Sequence, residues 1–124
     1  MILGIGIDVV HVYRLKRWEK IPGLFDRFFH DDELRVALPK GEAGILSLAA
    51  RFAAKEAFGK ALGTGLHGFS LKEIAVMNDE LGKPQLILYG RAQAALEKLG
   101  GTNVFISLSH ERDNALAMVV IEGD

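Results

Sequence analysis

Two carboxylates and the cations around them are the residues of this chain whose types and spacing could do chemistry. Asp8 lies near the end of an apolar, β-branched run, Ile2 to Val10, where a carboxylate is costly to bury unless it is paired or bound to a cation. It could equally cap the segment that follows. Glu56 stands in Arg51-Phe52-Ala53-Ala54-Lys55-Glu56-Ala57-Phe58-Gly59-Lys60, which sets charges among alanines and phenylalanines. Glu56 and Lys60 are four apart with the acid first, the favoured order for an exposed helical pair. Phe52, Ala53, Ala57 and Phe58 around them nevertheless imply that part of this face packs against something. A hard cation such as Mg²⁺ needs only one or two carboxylates, with water and substrate phosphate oxygens completing its shell. Asp8 with Glu56 meets that requirement, and Arg51, Lys55 and Lys60 would then neutralise the phosphates.

The neighbouring motifs narrow the chemistry. Gly63-Thr64-Gly65 follows the charged stretch and is either a helix stop or a place where backbone approaches a ligand closely. Gly4-x-Gly6 lacks the third glycine that opens a helix in a dinucleotide fingerprint. His110 is a lone loop histidine without the spacing of a zinc site. No nucleophile elbow surrounds Ser107 or Ser109, so a serine hydrolase is not indicated.

The elements that must position these residues follow from periodicity and breakers. Ile2 to Val10 reads as a buried first strand ending near Asp8. Residues 12–20 suit a short amphipathic helix stopped by Pro22 and Gly23. Asp31, Asp32 and Glu33 favour the N-terminus of a helix running to Leu38. The longest helical pattern spans Glu42 to Leu62, is rich in alanine and leucine, and stops at Gly63. A hairpin follows, with Leu71 to Met77 and Gln85 to Tyr89 as strands, and then a helix over Arg91 to Leu99. Residues 104–109 and 115–121 form a second hairpin about the turn His110 to Asn114. The order predicts an α+β fold, with a largely antiparallel sheet packed against one long and several short helices.

The totals set bounds. The 124 residues suit one domain spanning 1–124. Half the chain is hydrophobic and a quarter charged, as in ordinary globular domains. A net charge of −1 gives no global attraction to nucleic acid or to an anionic membrane. No apolar run is long enough to span a bilayer. The absence of cysteine excludes disulfides and thiolate chemistry and agrees with a reducing compartment. The amino terminus has no basic leader or cleavage signal, so a cytoplasmic location is expected. Arg14, Lys16, Arg17 and Lys20 nonetheless cluster, either as a solvated helix face or as a patch for an acidic partner.

These segments together resemble the holo-acyl-carrier-protein synthases, the short branch of the 4′-phosphopantetheinyl transferases. The matching pieces are Gly4-Ile5-Gly6-Ile7-Asp8 with Arg14, then Arg51 to Ala57 with Lys60 and Gly63-Thr64-Gly65. Later come Gly82-Lys83-Pro84 and Ser107-Leu108-Ser109-His110. The resemblance implies an enzyme that moves phosphopantetheine from coenzyme A to a serine of an apo acyl carrier protein, of fatty acid synthesis or another pathway, releasing adenosine 3′,5′-bisphosphate. It also implies a homotrimer with active sites between subunits. By analogy, Asp8 and Glu56 hold Mg²⁺, and Lys60 lies near the pyrophosphate with Gly63, Thr64 and Gly65. Arg51 and His110 would meet the nucleotide end of coenzyme A at its 3′-phosphate, and Arg14, Arg17 and Lys20 the carrier protein. The attacking hydroxyl needs a base, either Glu56 or a metal-bound water. His11 and His30 depart from the family pattern, which commonly has an acidic residue and a threonine there. A coenzyme A-binding module without catalysis would need Arg51, Lys60 and His110 but not the two carboxylates. A purely structural domain would use the charges as surface pairs.

Overall fold

A single helix, buried on nearly every side, organises the fold. The computed structural model describes residues 1–124. Helix α4 (Glu42–Leu62) carries Leu48, Ala49, Ala53, Ala54, Ala57 and Phe58 with essentially no exposed surface, and it ends at Gly63, whose φ of 83° supplies the left-handed stop. Strand β1 (Ile2–His11) lies along it and pairs antiparallel with β5 (Asn114–Gly123), which pairs antiparallel with β4 (Gly101–His110). The sheet order is β1-β5-β4. Period-two alternation turns Ala115, Ala117, Val119 and Ile121 of β5 inward. Ile5, Ile7, Val9, Phe105, Leu116 and Met118 stand on the opposite face and stay substantially exposed.

The α+β class and the antiparallel pairing agree with expectation, with four differences. The strands form two sheets, because β2 (Ile74–Asn78) and β3 (Pro84–Leu88) pair only with each other. Leu71–Glu73 is a 3₁₀ turn and not strand: the Ser70 hydroxyl accepts from Lys72 N–H while the Glu73 carboxylate accepts from Ser70 N–H, a closed capping box. Beyond α1 (Val12–Glu19), a further short helix, α2 (Leu24–Phe28), was not anticipated; it starts from Gly23 at φ 79°. Finally, β1 continues past Asp8 to His11. Helices α3 (Asp31–Ala37) and α5 (Gly90–Leu99) fall where the sequence places them. No helix is long and apolar enough to cross a membrane.

Candidate active site

Asp8 lies within electrostatic range of Glu56 along the seam between β1 and α4, and glycine makes the seam narrow. A Cβ placed on Gly4 would stand 1.9 Å from the Ala61 carbonyl oxygen, and one on Gly6 would stand 1.9 Å from that of Ala57. Two strand residues advance about 6.8 Å and four helical residues about 6 Å, so strand and helix stay in step, running in opposite directions. The next inward strand position after Gly6 is Asp8, which falls beside the preceding turn of α4, where Glu56 stands. Gly4-x-Gly6, which is no dinucleotide fingerprint, lets the strand lie close against the helix and carries an acid toward it. Asp8 cannot be a helix cap, since it pairs with Ala117 inside the sheet and α1 begins after His11.

Lys60 locks the seam from the helix side. Its Nζ donates to Asp8 Oδ1 at 3.1 Å and to the Ile7 carbonyl at 3.0 Å. It therefore serves the strand, not the Glu56 pair that its i+4 spacing allowed. The Asp8 side chain is 17% exposed and that of Lys60 55%, so this bridge is open to solvent at one end. Burial, and next the negative charge of Asp8, push the Glu56 carboxyl above its ordinary value, while Lys60 and Arg14 pull it partly back. A half-buried carboxyl whose ionisation is opposed by a second carboxylate nearby forms a set that a cation would relieve. No group of three or more His, Asp or Glu side chains converges in the chain, so a cation held here would take its other ligands from water and phosphate, as Mg²⁺ does. The donor set fits Mg²⁺.

Arg14 belongs to this neighbourhood. Its guanidinium lies over the rings of Trp18 and Phe52, 5.1 and 5.8 Å from their centroids, close enough to Glu56 to act on its ionisation. Arg17 and Lys20 are exposed at the other end of α1. Gly63 and Thr64 are exposed just past the helix, and Gly65 N–H donates back to the Gly59 carbonyl at 3.0 Å.

Arg51 and His110 form a second group. They line one cleft of about 280 Å³ together with Ser47, Val76, Asn78 and Leu108. Arg51 lies five positions before Glu56, which places the two about 140° apart around the helix; within one chain the two groups therefore face different ways. Lys55, one position from Glu56, is turned into the core and is 0% exposed. Its three N–H donors go to Glu33 Oε1 at 2.6 Å, the Phe28 carbonyl at 2.8 Å and the Leu71 carbonyl at 3.1 Å. The expectation that Lys55 neutralises phosphate is therefore corrected: no donor remains, and no ligand reaches it. Burial lowers its pKa to about 8, against the pull of Glu33. Glu33, expected only as a negative charge favouring the start of α3, also stands at the capping-box position three residues after His30 and pairs with Lys55 in the core. The His30 Nδ1 accepts from Asp32 N–H, and Glu33 accepts from His30 N–H.

Comparisons with known proteins show the family and the fold. The profile of the 4′-phosphopantetheinyl transferase superfamily matches residues 4–119. The chain is 54% identical over 123 residues to the holo-[acyl-carrier-protein] synthase of Treponema denticola, covering 99% of this chain and all of that one. The crystal structure of the holo-[acyl-carrier-protein] synthase from Neisseria meningitidis superimposes with a TM-score of 0.88 at 39% identity, over 98% of this chain and 99% of that one. The enzyme of Bacillus anthracis, solved in complex with CoA (3′,5′-ADP), matches with a TM-score of 0.82 at 36% identity, over 100% and 99% of the two chains. A small α+β chain with a paired-carboxylate seam, it belongs to the 4′-phosphopantetheinyl transferase superfamily.

Proposed function

We propose that this chain is a holo-acyl-carrier-protein synthase, transferring 4′-phosphopantetheine from coenzyme A to a serine of an apo acyl carrier protein. The observation that carries the reading is the Asp8–Glu56 pair with Lys60 beside it on the β1–α4 seam. The serine oxygen forms a bond to the phosphorus bearing pantetheine, the bond from that phosphorus to the bridging pyrophosphate oxygen breaks, and adenosine 3′,5′-bisphosphate leaves. Mg²⁺ held by Asp8 and Glu56 would neutralise charge on the pyrophosphate. Lys60, next to Asp8 and half exposed, is placed to stabilise charge growing on the phosphate oxygens. The hydroxyl proton needs an acceptor, and either Glu56 or a metal-bound water would take it.

Three further points belong to the proposal. The divided site fits an assembly in which a second copy brings its Arg51–His110 cleft against the Asp8–Glu56 seam. The exposed apolar sheet face of Ile5, Ile7, Val9, Phe105, Leu116 and Met118 offers the surface for it, in keeping with a homotrimer. Arg14, Arg17 and Lys20 would then meet the acidic carrier, and a chain without cysteine suits the cytoplasm. The test is incubation with Mg²⁺, coenzyme A and an apo carrier. The expected result is a carrier heavier by one phosphopantetheine group; retention of coenzyme A with no change in carrier mass would overturn the reading.

A further inference from the structure

The buried cluster of Glu33, Lys55 and Arg51 is not explained by the chemistry above. Val76 sits in β2 opposite Leu86 of β3, yet neither of its backbone polar groups serves that partner. Its N–H donates to Glu33 Oε2 at 3.0 Å, and its carbonyl accepts from Arg51 Nη1. Val76 therefore occupies a non-hydrogen-bonded pair position, with both groups directed to the open edge of β2. A carboxylate from α3 and a guanidinium from α4 stand where another strand would be.

Lys55 completes the arrangement by fixing the Glu33 carboxylate. Glu33 and Lys55 are both 0% exposed, and Glu33 spends one oxygen on Lys55 and His30 N–H and the other on Val76 N–H. Arg51 is held by Ser47 Oγ at 3.1 Å and by the Val76 carbonyl, with Met77 Sδ at 3.9 Å. Its Nη2 makes no hydrogen bond within the chain and is not sealed from solvent. The cluster holds two cations and one anion, so it presents one uncompensated positive charge to the cleft.

We infer that Glu33 and Lys55 are positioning residues for the transfer reaction: through Val76 they set where the Arg51 guanidinium stands in the cleft, and hence how it grips the nucleotide end of the donor. This rests on the proposed reading of the Arg51–His110 cleft as the donor site. Stability alone is a weak reason for such a pair, since apolar replacement of a buried ion pair is often neutral or stabilising, whereas loss of one partner is strongly destabilising.

The experiment compares coenzyme A with 3′-dephospho-coenzyme A, by calorimetric binding and by steady-state kinetics, in the full chain. The first variant is Glu33→Gln with Lys55→Met, which removes both charges but keeps an acceptor for Val76 N–H. It is expected to fold, to lose about tenfold or more of its preference for the 3′-phosphorylated donor, the scale of one charge-assisted hydrogen bond, and to keep its KM for the carrier. Glu33→Asp, which keeps both charges but shortens the reach to Val76, is expected to lose part of the preference and decides the matter if the double variant does not fold. Arg51→Gln tests the cleft itself. If Arg51→Gln keeps the full preference, the donor-site reading fails. If Arg51→Gln loses it while the double variant and Glu33→Asp keep it, the positioning role fails and the donor site stands.

Discussion

Alanine at Gly6 tests the seam most directly. The added Cβ would meet the Ala57 carbonyl oxygen at 1.9 Å, the Ala61 nitrogen at 2.8 Å and the Ala57 carbonyl carbon at 2.9 Å. All three are backbone atoms of α4, so no rotamer change relieves the clash. Ordinary contact begins near 3.4 Å, so strand and helix must part by about 1.5 Å. Overpacking of this kind costs about 1–3 kcal/mol, a drop of several degrees in Tm. The functional cost is larger, because the retreat is comparable with a Mg²⁺–oxygen bond of about 2.1 Å, and a misplacement of about 1 Å can cost about 100-fold in rate. The assay is kcat for carrier modification across a Mg²⁺ titration, run well below the melting point, with Leu81→Ala at a 94% exposed site as the control. A Gly6→Ala protein with kcat within about threefold of the parent and an unshifted Mg²⁺ midpoint would refute the reasoning.

Three other outcomes follow from the same site. Asp8→Asn and Glu56→Gln are each expected to lower turnover by about two to three orders of magnitude, the scale of losing an electrostatic stabiliser; near-normal rates in both folded variants would dismiss the metal assignment. Arg14→Glu with Arg17→Glu should raise KM for the carrier more than KM for coenzyme A, and equal effects on both would count against a docking role. In metal-free protein, Glu56→Gln should raise Tm at pH 7, with the gain fading as pH falls into the ordinary carboxylate range. The sign follows from linkage: the folded chain binds the Glu56 proton more tightly than the unfolded one, so that contribution is full below the unfolded value and lost as pH rises through the folded value. A Tm difference independent of pH would contradict it.

The bounds of α4 were legible because alanine and leucine run without proline up to a glycine stop. Those of β4 and β5 were nearly so, because alternation is clear across a polar turn. Other features depended on tertiary context. Leu71 looks like the start of a strand, yet the Ser70–Glu73 box, itself visible as S-x-x-E, outcompetes extension there. Lys55 shares the cationic company of Arg51 and Lys60, but one residue from Glu56 is about 100° of rotation, enough to turn it into the core. Glu33 resembles any acidic residue at a helix start, and only the ammonium arriving from a distant segment makes its burial tolerable. The sequence offers Asp8 and Glu56 as a pair, but the feature that draws their two segments together, a strand stripped of side chains where it crosses helical carbonyls, becomes visible only in the packed backbone.

The crowding of tasks on α4 also limits how the gene can drift in length. Arg51, Lys55, Glu56 and Lys60 each look in a set direction from one rod, and Gly4 and Gly6 hold that rod by its carbonyls. A codon gained or lost between positions 51 and 55 would swing everything beyond it through about 100°, aiming the buried Lys55 ammonium at solvent and the Glu56 carboxylate away from Asp8. The β2–β3 turn, with Leu81 bare to water and Gly82 already in a left-handed bend, can absorb the same insertion as a longer loop. Variation in length among functional descendants should therefore collect in that turn and be purged from the helix.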